Sequence, residues 1–268
     1  MNEQEQILSA VLNCRRIDLY VDSKNLSFDD QQRVDHMTQR RLSGEPLQYI
    51  IGYCDFMGSM IRVDDRVLIP RPETEILVDS AIKKLKASQT SRQIRILDLG
   101  TGSGNVSIAL ANNIENSQIT SVDISQDAID LATYNAKANF VEDKIKFICK
   151  DMNIFLQQAK EDVKYALIIS NPPYIQTTDL DALPQDVQRE PRLALDGGND
   201  GLRFYKIILE NAFSILEDGG LLMCEIGDQQ RQEINTLLGR FPYYNNFECV
   251  KDYVGTDRIF SVRKIKNR

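Results

Sequence analysis

The chain has 268 residues, of which 42% are apolar and 26% charged, with a net charge of −7 and a pI near 5.0. This is an ordinary globular composition, long enough for one large domain or two smaller ones around a sizeable core. The acidic balance argues against a broad phosphate-binding surface, and cysteines without a C-x-x-C pair beside one histidine, His36, argue against a zinc cluster or a Ser-His-Asp hydrolase.

In chain order, Met1–Gln6 lacks a basic stretch followed by an apolar one. No run of about 18 apolar residues occurs, so neither a secretory signal nor a membrane span is expected. A cytoplasmic location is the expectation. Cys149 and Cys224, isolated on apolar runs, read as reduced core residues. Ile7, Leu8, Val11 and Leu12 lie at helical spacing, and Phe28-Asp29-Asp30 reads as a helix start with carboxylates where the dipole favours them. Val34, Met37 and Leu42 continue an apolar stripe. Arg33, Arg40 and Arg41 form another face, either simply solvated or docking an acidic partner. His36 reads as a surface residue.

Gly44-Glu45-Pro46 ends the helical part. Tyr53 to Val63, with Gly58 near its middle, reads as a short hairpin. Pro70 and Pro72 flank Arg71 and stiffen an extended segment, and Glu73 and Glu75 suit the first turn of a helix over Ile76–Leu85. From Ile94 strands and helices alternate. Strand-like runs are Ile94–Leu99, Gln118–Val122, Ile145–Cys149, Tyr165–Ser170, Gly220–Glu225, Phe247–Lys251 and Ile259–Lys264, with helical patterns such as Ala128–Ala138 and Leu202–Leu216 between most of them. This alternation implies an α/β fold with a mainly parallel sheet and helices on both faces. Asp252–Arg258 is too short for a helical crossover, so the last two strands should pair antiparallel at the sheet edge.

Asp98-Leu99-Gly100-Thr101-Gly102-Ser103-Gly104 follows the first of these strands. Glycines let a backbone turn tightly and approach a ligand, and a helix start beyond them (Val106–Ala111) faces it. Asp123 ends the next strand, where a carboxylate can accept from both ribose hydroxyls of a nucleoside. The third glycine of the dinucleotide fingerprint is missing, so the loop suits a ligand without a pyrophosphate, such as S-adenosylmethionine. Asp151 either accepts from an adenine amino group or caps the helix near Asn153.

Asn171-Pro172-Pro173-Tyr174 follows the buried strand Tyr165–Ser170. Open α/β sheets bind ligands at such strand ends. Two prolines fix φ and donate no N–H, so the corner offers a side-chain amide, bare carbonyl oxygens and a flat ring. It suits a small planar group that carries an NH2. The long stretch Gln176–Asn199 has the length of a lid or binding loop, and Glu190, Arg192 and Asp200 hold it closed, meet a substrate, or simply belong to a plain surface loop.

With these motifs in order, the chain resembles the release-factor glutamine N5-methyltransferases, the HemK/PrmC family. The matching segments are Arg41–Pro46, Leu68–Glu75, Asp98–Gly104, Val122–Ser125, Ser170–Ile175, Glu190–Arg192, Asp200–Leu202 and Glu225–Gly227. The Asn-Pro-Pro-Tyr box is shared with DNA and RNA methyltransferases; the Ile-Pro-Arg-Pro-Glu-Thr-Glu stretch is much more specific. The resemblance implies a Rossmann-like S-adenosylmethionine-dependent methyltransferase fold: seven strands, mostly parallel, the last antiparallel. It implies a helical domain over 1–51 that docks the release factor, a hairpin linker over 52–72 and a methyltransferase domain over 73–268. The reaction it implies is methylation of the glutamine in the Gly-Gly-Gln loop of class I peptide-chain release factors, with no direct nucleic-acid partner.

The resemblance further implies that Gly100, Thr101, Gly102, Ser103, Gly104 and Asp123 hold the cofactor. Asn171 would lie between cofactor and substrate, with Pro172, Pro173 and Tyr174 at the glutamine site. Relatives often carry a tryptophan where this chain has Met152, so a thioether would meet the adenine ring. Asn171 Oδ1 and the Pro172 carbonyl are then expected to accept the two hydrogens of the glutamine amide, with Tyr174 packed against it. One rival reading is an amino-methyltransferase acting on adenine or guanine, with a flipped base at the same corner. A scaffold that keeps the fold without chemistry is another.

Overall fold

The computed structural model describes residues 2–21, 26–87, 92–159 and 163–266. Near the N-terminus, helices Glu3–Val11, Asp18–Val21, Phe28–Leu42 and Leu47–Ile51 gather around Ile7, Val11, Val34 and Leu47. The third of these starts where expected because the Ser27 hydroxyl accepts from Asp30 N at 3.1 Å, ahead of a first turn rich in carboxylates. The arginine face is used within the chain. Arg40 pairs with Glu45, Arg41 with Glu3 and Asp186, and Arg33 reaches the Val11 carbonyl. His36 is exposed.

Strands β1 (Tyr53–Phe56) and β2 (Ser59–Arg62) form the expected hairpin. Met57 and Gly58 turn it with φ of 50° and 78°, the doubly left-handed pair that matches the natural twist of two strands. Helix Pro72–Lys86 begins four residues earlier than the apolar pattern suggested, because Pro72 is preset for the first helical position. Its Glu75 accepts from Met57 N at 3.0 Å, tying hairpin to helix.

The main sheet contains β3 (Ile94–Leu99), β4 (Ser117–Asp123), β5 (Ile145–Cys149), β6 (Tyr165–Ser170), β7 (Leu216–Glu225), β8 (Tyr244–Lys251) and β9 (Asp257–Lys264). Their order is β5-β4-β3-β6-β7-β9-β8, with β9 alone running against its neighbours. The final hairpin thus pairs antiparallel at one end of the sheet, and β9 inserts between β7 and β8 so that β8 forms the edge. Successive strand residues face opposite layers. Ile96, Leu221 and Met223 pack with helices Pro72–Lys86, Asn105–Asn113 and Gln126–Ala138. Leu97, Leu222 and Cys224 pack with helices Met152–Gln158, Arg203–Asn211 and Arg231–Leu238. Burial on both faces is what a parallel sheet covered by crossover helices requires.

Two expectations need correction. Cys149 is exposed, the last residue of β5, and its thiol donates to the Ile124 carbonyl at 3.4 Å; Cys224 is buried as expected. The stretch beyond Ile175 is not a bare loop but carries three short 3-10 turns, Thr177–Ala182, Val187–Arg189 and Arg192–Ala194. Thr177 and Gly198 both hydrogen-bond Asp196 within it.

Candidate active site

The parallel strands β3, β4, β5 and β6 end on one side of the sheet, around a cavity of about 1140 Å3 including its open mouth. Its floor is the glycine loop. Gly100, Gly102 and Gly104 all have positive φ, of 75°, 53° and 81°, which lets the backbone double back from β3 into helix Asn105–Asn113. The buried Asp98 carboxylate accepts from the hydroxyls of Thr101 and Ser107, both at 2.7 Å, and so fastens the loop from below. Burial pushes that carboxyl up to about 6 despite both bonds.

Asp123, at the end of β4, lines the cavity next to the loop. One oxygen accepts from Gly102 N at 2.8 Å and the other from Ser125 N at 3.0 Å. These bonds orient the carboxylate while each oxygen keeps a lone pair for a ligand. Burial raises this carboxyl too, and the backbone bonds oppose the rise. Asp151 Oδ1 accepts from Asn153 N at 2.9 Å and Ile154 N at 3.1 Å, which caps the helix, and the residue also lines the cavity. Met152, the next residue, lines the cavity as well.

Beside the loop, at the end of the neighbouring strand β6, stands the Asn-Pro-Pro-Tyr corner. Asn171 and Pro173 line the cavity together with Gly100–Ser103, Asp123 and Met152. The Pro172 ring is buried, and Tyr174 packs into the core layer behind the wall, its hydroxyl donating to Glu225 at 3.4 Å. Tyr174 thus forms part of the wall at this corner. Its ring and backbone are packed from behind by three glycines: a Cβ at Gly197, Gly201 or Gly227 would come within 2.7, 2.5 or 3.0 Å of Tyr174 atoms. Gln230 donates from Nε2 to the Tyr174 carbonyl at 3.1 Å and completes the brace.

Two residues beside Asn171 lie in segments singled out from the sequence but were given no role of their own there. Thr74, at the third position of helix Pro72–Lys86, accepts from Asn171 Nδ2 at 3.1 Å. Its own hydroxyl donates to Glu225 at 2.6 Å. Glu225 is 1% exposed at the end of β7, and burial pushes its carboxyl up to about 7. A carboxylate closing an otherwise apolar strand was the available signal.

The mouth of the cavity is formed partly by Arg71, Pro191, Leu193 and Ala194. Glu190 is buried against this rim, where it pairs with Arg71 and accepts from Ile69 N at 2.9 Å. Of the three charged residues singled out in this stretch, Glu190 thus pins it to the proline-rich segment, while Arg192 pairs with Asp181 and Asp200 with Lys206 at the surface.

Residues 90–264 match the family model of a methyltransferase domain, and residues 2–52 match that of the PrmC N-terminal domain. The chain is 37% identical to a release factor glutamine methyltransferase of Thermodesulfovibrio yellowstonii, over 100% of this chain and 94% of the relative. A protein of the same description from Geobacter sulfurreducens is 38% identical, over 97% of this chain and 88% of its own length. Among solved structures, the M. jannaschii tRNA m1G37 methyltransferase aligns with a TM-score of 0.54 at 21% identity, covering 81% of this chain and 57% of that one. The ribosomal protein L11 methylase of Lactobacillus delbrueckii subsp. bulgaricus aligns at 0.52 and 18%, covering 76% and 85%. These two likenesses establish the fold alone, since one acts on RNA and the other is named for a protein.

Proposed function

Since the chain belongs to the release factor glutamine methyltransferases, we propose that it transfers the methyl group of S-adenosylmethionine to N5 of the glutamine in the Gly-Gly-Gln loop of class I release factors. The observation that carries this reading is the juxtaposition of Asp123 and the glycine loop with Asn171 in one cavity. A nucleoside end and an amide-recognising end thereby share one space.

The residues present fit this cofactor. Asp123 offers two oriented carboxylate oxygens to ribose hydroxyls, the left-handed glycines bring backbone close to a ligand, and Met152 offers an apolar surface to a base. When bound, S-adenosylmethionine supplies an electrophilic methyl carbon on a sulfonium. The protein's own part is to place and polarise the amide. A carboxamide nitrogen is a poor nucleophile because its lone pair is delocalised into the carbonyl. Asn171 Oδ1 and the Pro172 carbonyl accept its two hydrogens, hold the nitrogen in line and stabilise positive charge as it grows there, until one of those hydrogens leaves to solvent as a proton. Orientation can lower a barrier by up to about 7–11 kcal/mol, and a hydrogen bond to a charged group contributes roughly 1.5–3 kcal/mol. Placement is thus the larger effect. Tyr174 acts from behind, as the wall that keeps the corner in position.

In this reading residues 1–51 form the part that docks the release factor, 52–72 link it to the catalytic part, and 73–268 carry the chemistry. No helix among the described residues is long and apolar enough to cross a membrane. A cytoplasmic enzyme that meets its substrate at translation termination fits that. The test supplies labelled S-adenosylmethionine with a class I release factor, with its Gly-Gly-Gln→Gly-Gly-Ala version, and with DNA and RNA. Label on the intact release factor alone is expected. Label on nucleic acid, or on the alanine version equally, overturns the reading.

A further inference from the structure

The reading above needs Asn171 to present its oxygen, not its NH2, to the incoming amide. An asparagine head group is nearly symmetric in shape, so something must decide which way it faces. We propose that Thr74 and Glu225 are positioning residues that lock the Asn171 amide with its oxygen toward the cavity. This proposal rests on the role given to Asn171.

The argument is a count of hydrogens. Thr74 has one hydroxyl hydrogen. Glu225 as a carboxylate can only accept, so the 2.6 Å contact between them takes that hydrogen. Thr74 Oγ1 is then left only with lone pairs. Its 3.1 Å contact to Asn171 is satisfied only by the Asn171 NH2. Oδ1 must point the other way, and among the described residues no donor reaches it. Thr74 and Glu225 are 2% and 1% exposed, so the bond between them is shielded from water.

The chain has a polarity, and protonation of Glu225 reverses it. A carboxylic acid donates to Thr74, which frees the Thr74 hydrogen to donate to Asn171 Oδ1. The head group then turns its NH2 to the cavity, where two donors face the amide hydrogens of the substrate. The groups facing Glu225 are Thr74 and Glu73 from helix Pro72–Lys86, Tyr174 from the corner, Arg258 from β9 and Tyr205 from helix Arg203–Asn211. Burial is the largest influence on Glu225, with Glu73 favouring its protonated form and Arg258 its charged form.

The experiment measures methyl transfer to a full-length release factor and cofactor affinity by calorimetry for the parent, Thr74→Val, Thr74→Ser and Asn171→Ala. Valine keeps the shape and removes the hydroxyl. It should lower kcat about tenfold, the worth of one hydrogen bond to a polarised group, with the cofactor Kd unchanged. Serine restores the hydroxyl and should return kcat to within about threefold of the parent. Between about pH 6 and about pH 8 the parent's kcat should rise through the titration of Glu225, and the valine variant should lose that limb. Should the valine variant fold poorly, the serine variant decides: near-parental kcat supports the proposal, and a loss matching alanine at Asn171 overturns it. A valine variant with parental kcat and an unchanged pH profile, beside an inactive Asn171→Ala, overturns this inference alone. An active Asn171→Ala overturns the reading beneath it.

Discussion

The two ends of the cavity are held in place by different means. At the nucleoside end, Asp123 is oriented by backbone N–H groups of Gly102 and Ser125, and its loop is fastened by hydroxyls three and nine residues from Asp98. At the amide end, Asn171 is oriented by side chains, Thr74 and through it Glu225, which stand 97 residues away and a further 151 residues along from Thr74. Backbone anchoring tolerates changes in neighbouring side chains. A side-chain relay depends on each member, because a broken link leaves a buried polar group without its partner. The nucleoside end is therefore a binding device that should fail gradually. The amide end is an aligning device that should fail abruptly and in rate.

Asn171→Ala should break the comparison most sharply. Loss of one acceptor and of alignment should reduce kcat by about 1000-fold, while calorimetry finds the cofactor Kd within about threefold of the parent. Asp123→Ala should do the converse, weakening cofactor binding about 100-fold through two lost charge-assisted bonds. Its kcat at saturating cofactor should stay near the parent's. If both variants lose kcat and affinity together, the division between the two ends is wrong.

How much of this was legible in the sequence follows the same division. The glycine loop and Asp123 lie within one strand–loop–helix–strand unit, so spacing alone pointed to them. Strands β3, β5 and β6 coincide with their apolar runs to the residue. β7 begins at Leu216, ahead of the run at Gly220, because Glu217, Asp218 and two glycines interrupt its pattern where the pairing with β6 shifts register and Gly219 takes a φ of 77°. Thr74 looked like one polar residue in a helix start. Only the packing of helix Pro72–Lys86 against β7 brings it to Glu225. The glycines behind Tyr174 were equally unreadable, since Gly197, Gly201 and Gly227 come from separate segments and are needed only where they converge.

That convergence can be tested with less disruption than at Asn171. Gly201 has a φ of 67°, and a Cβ there would stand 2.5 Å from the Tyr174 carbonyl oxygen and 2.7 Å from Gln230 Nε2. Gly201→Ala should destabilise the fold by about 2–4 kcal/mol in urea unfolding. It should also lower kcat about tenfold by shifting the corner, leaving cofactor affinity intact. An alanine variant with parental kcat would show that the brace behind Tyr174 does not hold Asn171.

A further effect concerns stability against pH. The Glu225 carboxyl rises from 4.5 to about 7 on folding, so the native state binds the proton more tightly than the unfolded chain does. Its favourable contribution is complete below about 4.5 and is lost as pH rises through about 7. At 1.36 kcal/mol per tenfold, the whole change is roughly 3 kcal/mol. Glu225→Gln removes it. Urea unfolding at several pH values should show the parent losing stability relative to the glutamine variant across this window, and parallel profiles would contradict a buried, protonatable Glu225.

The most direct measurement is a crystal structure with S-adenosylhomocysteine and a peptide containing Gly-Gly-Gln. The glutamine amide nitrogen should lie about 2.7–3.2 Å from both Asn171 Oδ1 and the Pro172 carbonyl, facing the sulfur across the gap a methyl group would fill. A glutamine bound with its nitrogen turned from that gap, or an Asn171 head group presenting NH2 to it, would contradict the account.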